Sequence, residues 1–325
     1  MVVSSSANDV RRPSPLARVI ATVALIGAWV LCPSLASGSP ASAHTPPPSE
    51  VPLLLLGDDG SVHFIGGEGF SVQAAARKPV GATALVATSS GRGFWVAYED
   101  GTIEAAGDAV NVDLDIAGTL SPSVTFAHAA SAPEVPIHLA IVDEPPSAVL
   151  FTSAGRVIAS NPTHHVGDLF GRLLNAPIVD AALDSDGVGY TLLGADGGVF
   201  AFEAHYSGSI PQALGRTTAP DGAPTALAAP AVQLLQAPGG GYWIVTEDGG
   251  VFAFGSAPFL GSIPGILPPG IGLNGPIVGG LSYGNGYLLV GSDGGTFNFS
   301  NQPYPGRLIP YAGMPEIVAV GVARS

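Results

Sequence analysis

The sequence predicts an all-β fold, a set of short antiparallel hairpins, and three observations lead there. The stretch Gly241-Tyr242-Trp243-Ile244-Val245-Thr246-Glu247-Asp248-Gly249-Gly250-Val251-Phe252-Ala253-Phe254-Gly255 places β-branched and aromatic runs on either side of an Asp-Gly-Gly turn, the composition of a tight hairpin. The pattern recurs at Val188–Phe202 and at Gly286–Phe299. Glycine (45) and proline (30) are abundant while charged residues make up 11 % of the chain, so turns are frequent and long amphipathic helices are disfavoured.

Taken in order, six units carry such a hairpin. Leu53–Phe64 turns at Asp59-Gly60, and Gly93–Ile103 turns at Asp100-Gly101. Ala148–Ile158 is the most degenerate copy, turning at Gly155 without an aspartate. The last three turn at Asp196-Gly197, Asp248-Gly249 and Asp293-Gly294. The spacings between the first turn glycines are 41, 54, 42, 52 and 45 residues. They match the roughly 40–50 residues of a four-stranded propeller blade, with an internal period of two.

Each hairpin needs an opening strand, supplied by Pro-apolar-apolar runs such as Pro79-Val80, Pro177-Ile178-Val179, Pro230-Ala231-Val232 and Pro276-Ile277-Val278. A fourth element is expected after it, at Tyr206–Pro211 and Phe259–Pro264. The run Pro315–Val322 has an opening strand without a hairpin, and Leu53–Phe64 is a hairpin without an opening strand. The two ends are therefore expected to share one blade, closing the ring and hiding its free edges. The expectation is a β-propeller of six blades closed by pairing of N- and C-terminal strands. The interval from Gly101 to Gly155 holds two candidate opening strands, Val124–Ala127 and Ile137–Val142, which leaves room for an insertion or a seventh, degenerate blade.

The first segment is of another kind. Arg11, Arg12 and Arg18 precede an apolar run from Val19 to Leu31, and Ala41-Ser42-Ala43 offers a small-x-small cleavage site. Residues 1–43 read as a signal peptide, 44–50 as a Pro-rich spacer and 51–325 as the propeller domain. The run is shorter than the ~20 residues of a spanning helix, so no stable membrane span is expected after cleavage. Cleavage would also remove Cys32, the one cysteine, and with it any disulfide. It would take away three arginines and Asp9, moving the net charge from −14 to −16. So acidic a chain repels phosphate backbones, and nucleic acid is not an expected partner.

No catalytic, cofactor-binding or metal-binding set emerges from the motifs. Asp59, Asp100, Asp196, Asp248 and Asp293 are expected to accept hydrogen bonds from their own turn amides, a structural role shared with Gly60, Gly101, Gly197, Gly249 and Gly294. Asp184-Ser185-Asp186-Gly187 begins like a calcium loop, but Ala195 stands where the closing glutamate belongs. His164-His165 with Asp168 reads as a solvated loop. Gly280-Leu281-Ser282-Tyr283-Gly284 matches a nucleophile elbow by letters only, because another strand follows where that motif requires a helix. Trp95 and Trp243 read as packing residues.

The stretch Gly241–Gly255, echoed at Gly189 and Gly286, resembles the Gly-Tyr-Trp-x-Val-x-x-Asp-Gly-Gly-x-Phe-x-Phe-Gly repeat of exported bacterial proteins. Family copies continue into a Phe/Tyr-x-Gly-Ser element, matched by Phe259-Leu260-Gly261-Ser262 and Tyr206-Ser207-Gly208-Ser209. The resemblance implies a β-propeller-like fold, an extracellular or cell-envelope location and a non-catalytic role; it carries no catalytic residues or cofactor.

The expected function is an exported, non-catalytic binding or scaffold module that recognises an unknown protein or glycan. Its length-variable loops are Thr119–Pro136, Asn161–Leu173 and Arg216–Pro224. One rival is a propeller glycosidase or lyase with axial carboxylates, for which Asp113, Asp115 and Asp180 are the candidates. The other is a purely structural envelope protein.

Overall fold

The structure, a computed structural model, describes residues 53–65, 79–114, 116, 118–142, 146–184, 187–214, 227–268, 270–309 and 311–322. The signal-peptide and spacer readings, Asp115 and the Arg216–Pro224 loop lie outside them.

Eighteen strands form six three-stranded antiparallel sheets among the described residues. In chain order the first sheet holds β1 (Leu53–Gly57) and β2 (Val62–Ile65), and the second β3 (Ala82–Ala87), β4 (Gly93–Tyr98) and β5 (Ile103–Gly107). The third holds β6 (Pro136–Val142), β7 (Ser147–Thr152) and β8 (Val157–Ala159), and the fourth β9 (Ile178–Leu183), β10 (Tyr190–Gly194) and β11 (Val199–Phe202). The fifth holds β12 (Ala231–Gln236), β13 (Tyr242–Thr246) and β14 (Val251–Phe254), and the sixth β15 (Ile277–Tyr283), β16 (Gly286–Gly291) and β17 (Thr296–Phe299). The last strand, β18 (Ile317–Val322), returns to pair with β1, with Leu55 opposite Val320. This all-β architecture fits a β-propeller. Of the two candidate opening strands in the long interval, the second is β6, while Val124 makes only an isolated bridge to Ala132.

Local chemistry fixes each hairpin. In the fifth sheet Gly249 N–H donates to Thr246 C=O at 2.8 Å and Thr246 N–H to Gly250 C=O at 2.9 Å. Gly249 takes φ +79°, the left-handed residue that a three-residue hairpin loop needs. The six opening strands share a second device: the register slips after the first pair, leaving Thr83, Ile137, Val179, Val232, Val278 and Val318 as bulges.

That first residue also reaches the preceding sheet. Ala82 N–H donates to Asp58 C=O, Ile178 to Ser153, Ala231 to Ala195, Ile277 to Glu247 and Ile317 to Ser292, all at 2.8–2.9 Å. At the remaining junction the residue is Pro136, which has no N–H to give. The opening strands follow one another as β18, β3, β6, β9, β12 and β15, and β15 lies beside β18. Among the described residues no sheet is itself closed by hydrogen bonds; the opening strands are joined in a cycle by these single backbone links and by apolar packing. In the fifth sheet Tyr242 and Ile244 pack toward Leu193 and Ile210 of the fourth, while Trp243 and Val245 pack toward Ile277, Tyr287 and Leu289 of the sixth.

The expected fourth strand is absent from the described residues. Tyr206–Ser209 and Phe259–Ser262 run as irregular chain into the one-turn helices α1 (Ile210–Ala213) and α2 (Ile263–Ile266). Pro211 and Pro264 remove ladder donors there and suit a first helical turn. The segment returns to cap its own hairpin: Ile210 N–H bonds Gly197 C=O at 3.1 Å and Ile263 N–H bonds Gly249 C=O at 3.0 Å. A Cβ on Gly249 would stand 2.5 Å from the Ile263 side chain, so both the turn and its cap demand glycine.

Candidate functional site

The repeat residues are engaged structurally. The carboxylates of Asp59, Asp100, Asp196, Asp248 and Asp293 each accept from the N–H two residues on, at 2.9–3.0 Å. Trp243 is fully buried and donates its ring N–H to Pro258 C=O at 2.7 Å, as Trp95 does to Val110 C=O. Tyr242 accepts from Ser207 N–H and donates to Gly208 C=O, so the Tyr-x-Gly-Ser segment of the fourth sheet is hooked by the fifth. Tyr287 holds Leu260 and Gly261 in the same way, and Tyr190 holds Val166 and Gly167. The final Phe of each motif lies opposite its Tyr and against the hooked glycine: Phe254 would be 2.8 Å from a Cβ on Gly208, whose φ is +133°. Burial pushes the Tyr190, Tyr242 and Tyr287 phenols above their ordinary range.

Of the candidate acids, Asp113 is exposed after β5, whereas Asp180 is buried on β9. Asp180 Oδ1 lies 2.9 Å from His138 Nδ1 on β6, and its Oδ2 accepts Leu234 N–H on β12 at 2.8 Å. Both oxygens are thus committed to neighbouring sheets. Aligned by the bulge, the positions are Ala84, His138, Asp180, Gln233, Gly279 and Ala319, and Gln233 likewise accepts from Gly280 N–H of the next sheet. Half of this ring position is polar and ties sheets together; the other half is small. Sequence reasoning missed His138, because its place one residue past a bulge shows only once the strand register is known.

His164 corrects the solvated-loop reading. It is 6 % exposed, in a short 3-10 turn (Pro162–His164), with Nδ1 3.0 Å from Gly187 C=O. Only His165 faces solvent, 3.4 Å from Asp168. Ser282 is exposed at the end of β15, and the strand β16 follows. Among the described residues no three His, Cys, Asp or Glu side chains stand together to hold a metal ion, and no helix is long and apolar enough to cross a membrane. Ser185 and Asp186 lie outside the described residues.

The surface feature that stands out is apolar. Phe170 and Leu173, then Tyr206 and Leu214, then Phe259, Ile266 and Ile271, then Tyr304, Ile309 and Tyr311 are all exposed, and all lie in segments that follow the third strand of a sheet. Residues 255–275 contain no charged side chain in a chain of net charge −14.

No family model matches this chain, and no curated protein does. Solved structures similar to it include YCF48 bound to a D1 peptide, at 11 % identity and TM-score 0.41, covering 76 % of this chain and 74 % of that one. The complex of BBS1N with ARL6DN matches at 17 % identity and TM-score 0.35, covering 76 % and 77 %. An inactive virginiamycin B lyase from Staphylococcus aureus with quinupristin matches at 8 % identity and TM-score 0.35, covering 68 % and 67 %.

Proposed function

We propose that this chain is an exported six-bladed β-propeller that works as a non-catalytic binding module, taking a protein partner on its outer rim. The observation that carries the reading is that the large exposed apolar side chains, Phe200 on β11 apart, lie in the segments after the third strands of the second to sixth sheets, since exposed apolar surface favours partner contact. Ile266, Ile271 and Ile309 are aliphatic, which suits a protein surface better than the aromatic platforms that sugars stack upon. The two oxygens of Asp180 are spent on inter-sheet bonds, which supports a structural role over acid–base chemistry. Export rests on Arg11 to Ala43 alone.

The test is cross-linked capture of partners from cell-envelope fractions by the full chain and by a Phe259→Ser, Ile266→Ser, Ile271→Ser variant. The reading expects the variant to keep its melting temperature and lose the partner. Equal capture by both proteins would remove it.

A further inference from the structure

A cavity of about 250 Å³ lies between the hairpin turn of the fifth sheet and α2. Leu227, Phe252 and Pro264 give it apolar walls, and Asp248, Thr246 and Ser262 give it polar ones. The Oδ1 atom of Asp248 is spent on Gly250 N–H at 3.0 Å and on the Thr246 hydroxyl at 2.6 Å. Its Oδ2 takes no partner among the described residues, and Ser262 makes no side-chain capping bond to α2. One carboxylate oxygen and one hydroxyl are therefore open beside an apolar wall. The volume falls below the roughly 300–1,000 Å³ of pockets for drug-sized molecules, and suits a single side chain.

We propose that this cavity receives a lysine or arginine side chain of the protein partner assigned above, an inference that rests on that reading. The aliphatic stem would lie on Leu227, Phe252 and Pro264 while the cationic head meets Asp248 Oδ2 and Ser262 Oγ. An anionic group is repelled there by Asp248 and by the chain's net charge of −14. A wholly apolar side chain would strip water from Asp248 and return no hydrogen bond.

The test follows amide resonances of the full chain while capped Gly-Gly-Lys-Gly-Gly, Gly-Gly-Arg-Gly-Gly and the norleucine analogue are added, with n-butylammonium as a separate arm. The Lys and Arg peptides are expected to shift the amides of Thr246 to Phe252 and of Ser262. The norleucine peptide should bind about ten-fold more weakly or worse, the scale of one lost charge-assisted hydrogen bond. Asp248→Asn keeps the Oδ1 acceptor for the turn and should weaken Lys binding comparably, while Asp293→Asn, in the sixth-sheet turn, should leave it unchanged. Ser262→Val provides a second variant that leaves the turn untouched and should also weaken it. Equal affinity for norleucine, unchanged Lys binding in both Asp248→Asn and Ser262→Val, or binding of n-butylammonium but of neither charged peptide would each overturn the proposal. If Lys binding is absent while rim-dependent capture persists, the pocket falls and the rim reading stands.

Discussion

Replacing Tyr242 with phenylalanine removes one oxygen atom and should cost far more than its surroundings suggest. The hydroxyl accepts from Ser207 N–H at 3.2 Å and donates to Gly208 C=O, and Tyr242 is 3 % exposed. Without it two backbone groups of a crowded segment lose their partner where water has little room. An unsatisfied buried group costs about 1–3 kcal/mol, so a loss of about 2 kcal/mol is expected. At roughly 2–4 °C per kcal/mol for a domain of this size, the melting temperature should fall by about 4–8 °C. Tyr206→Phe is the matched control, because its hydroxyl bonds Gln212 at the surface, and it should change stability by under about 0.5 kcal/mol. Calorimetry and urea unfolding read both variants. Since Tyr190, Tyr242 and Tyr287 sit in different sheets, their losses should add. A Tyr242→Phe protein as stable as the parent would refute the hook as a source of inter-sheet cohesion.

The same tyrosines predict a pH dependence. Burial raises their folded pKa, so their contribution is complete below the ordinary phenol range near 10 and is lost as pH rises through the higher folded values. Ultraviolet phenolate titration should accordingly show a late class of tyrosines whose ionisation coincides with unfolding. Gly249→Ala should destabilise by more than about 1 kcal/mol, because it meets a positive φ and Ile263 together, as chemical denaturation would record. Glu134→Ala should cost about 3–5 kcal/mol by the same assay, since it strands Arg156 and empties a carboxylate site that also serves Thr152 and Ser121.

The hairpins were legible in the sequence because an Asp-Gly turn fixes both the bend and the register of the strands beside it, and Leu53 and Val322 could be matched by what each end lacked. The segments after the third strand misled. Phe259-Leu260-Gly261-Ser262-Ile263 has the apolar content of a strand, but Gly261 takes φ +120° and Pro264 denies a donor, so the chain turns back to cap Gly249. The degenerate third turn has Ala154 where others have aspartate, and its support arrives from Glu134, whose side chain is fully buried and bonds Thr152 at 2.8 Å and Arg156 at 3.0 Å. That explains part of the long interval as delivery of a carboxylate, which no local pattern encodes. His138 and Asp180 are 42 residues apart, and only the shared bulge register brings them together.

The strands β1 and β18, far apart in sequence, complete one sheet and thereby join the first and last units of the cycle. Methyl-labelled leucine and valine spectra of the full chain test it most directly. Leu55 and Val320 lie opposite one another in β1 and β18 and in one apolar cluster, so a strong intramolecular Overhauser effect between their methyl groups is predicted. Its absence in the folded protein, or its appearance only between differently labelled molecules, would contradict the closure.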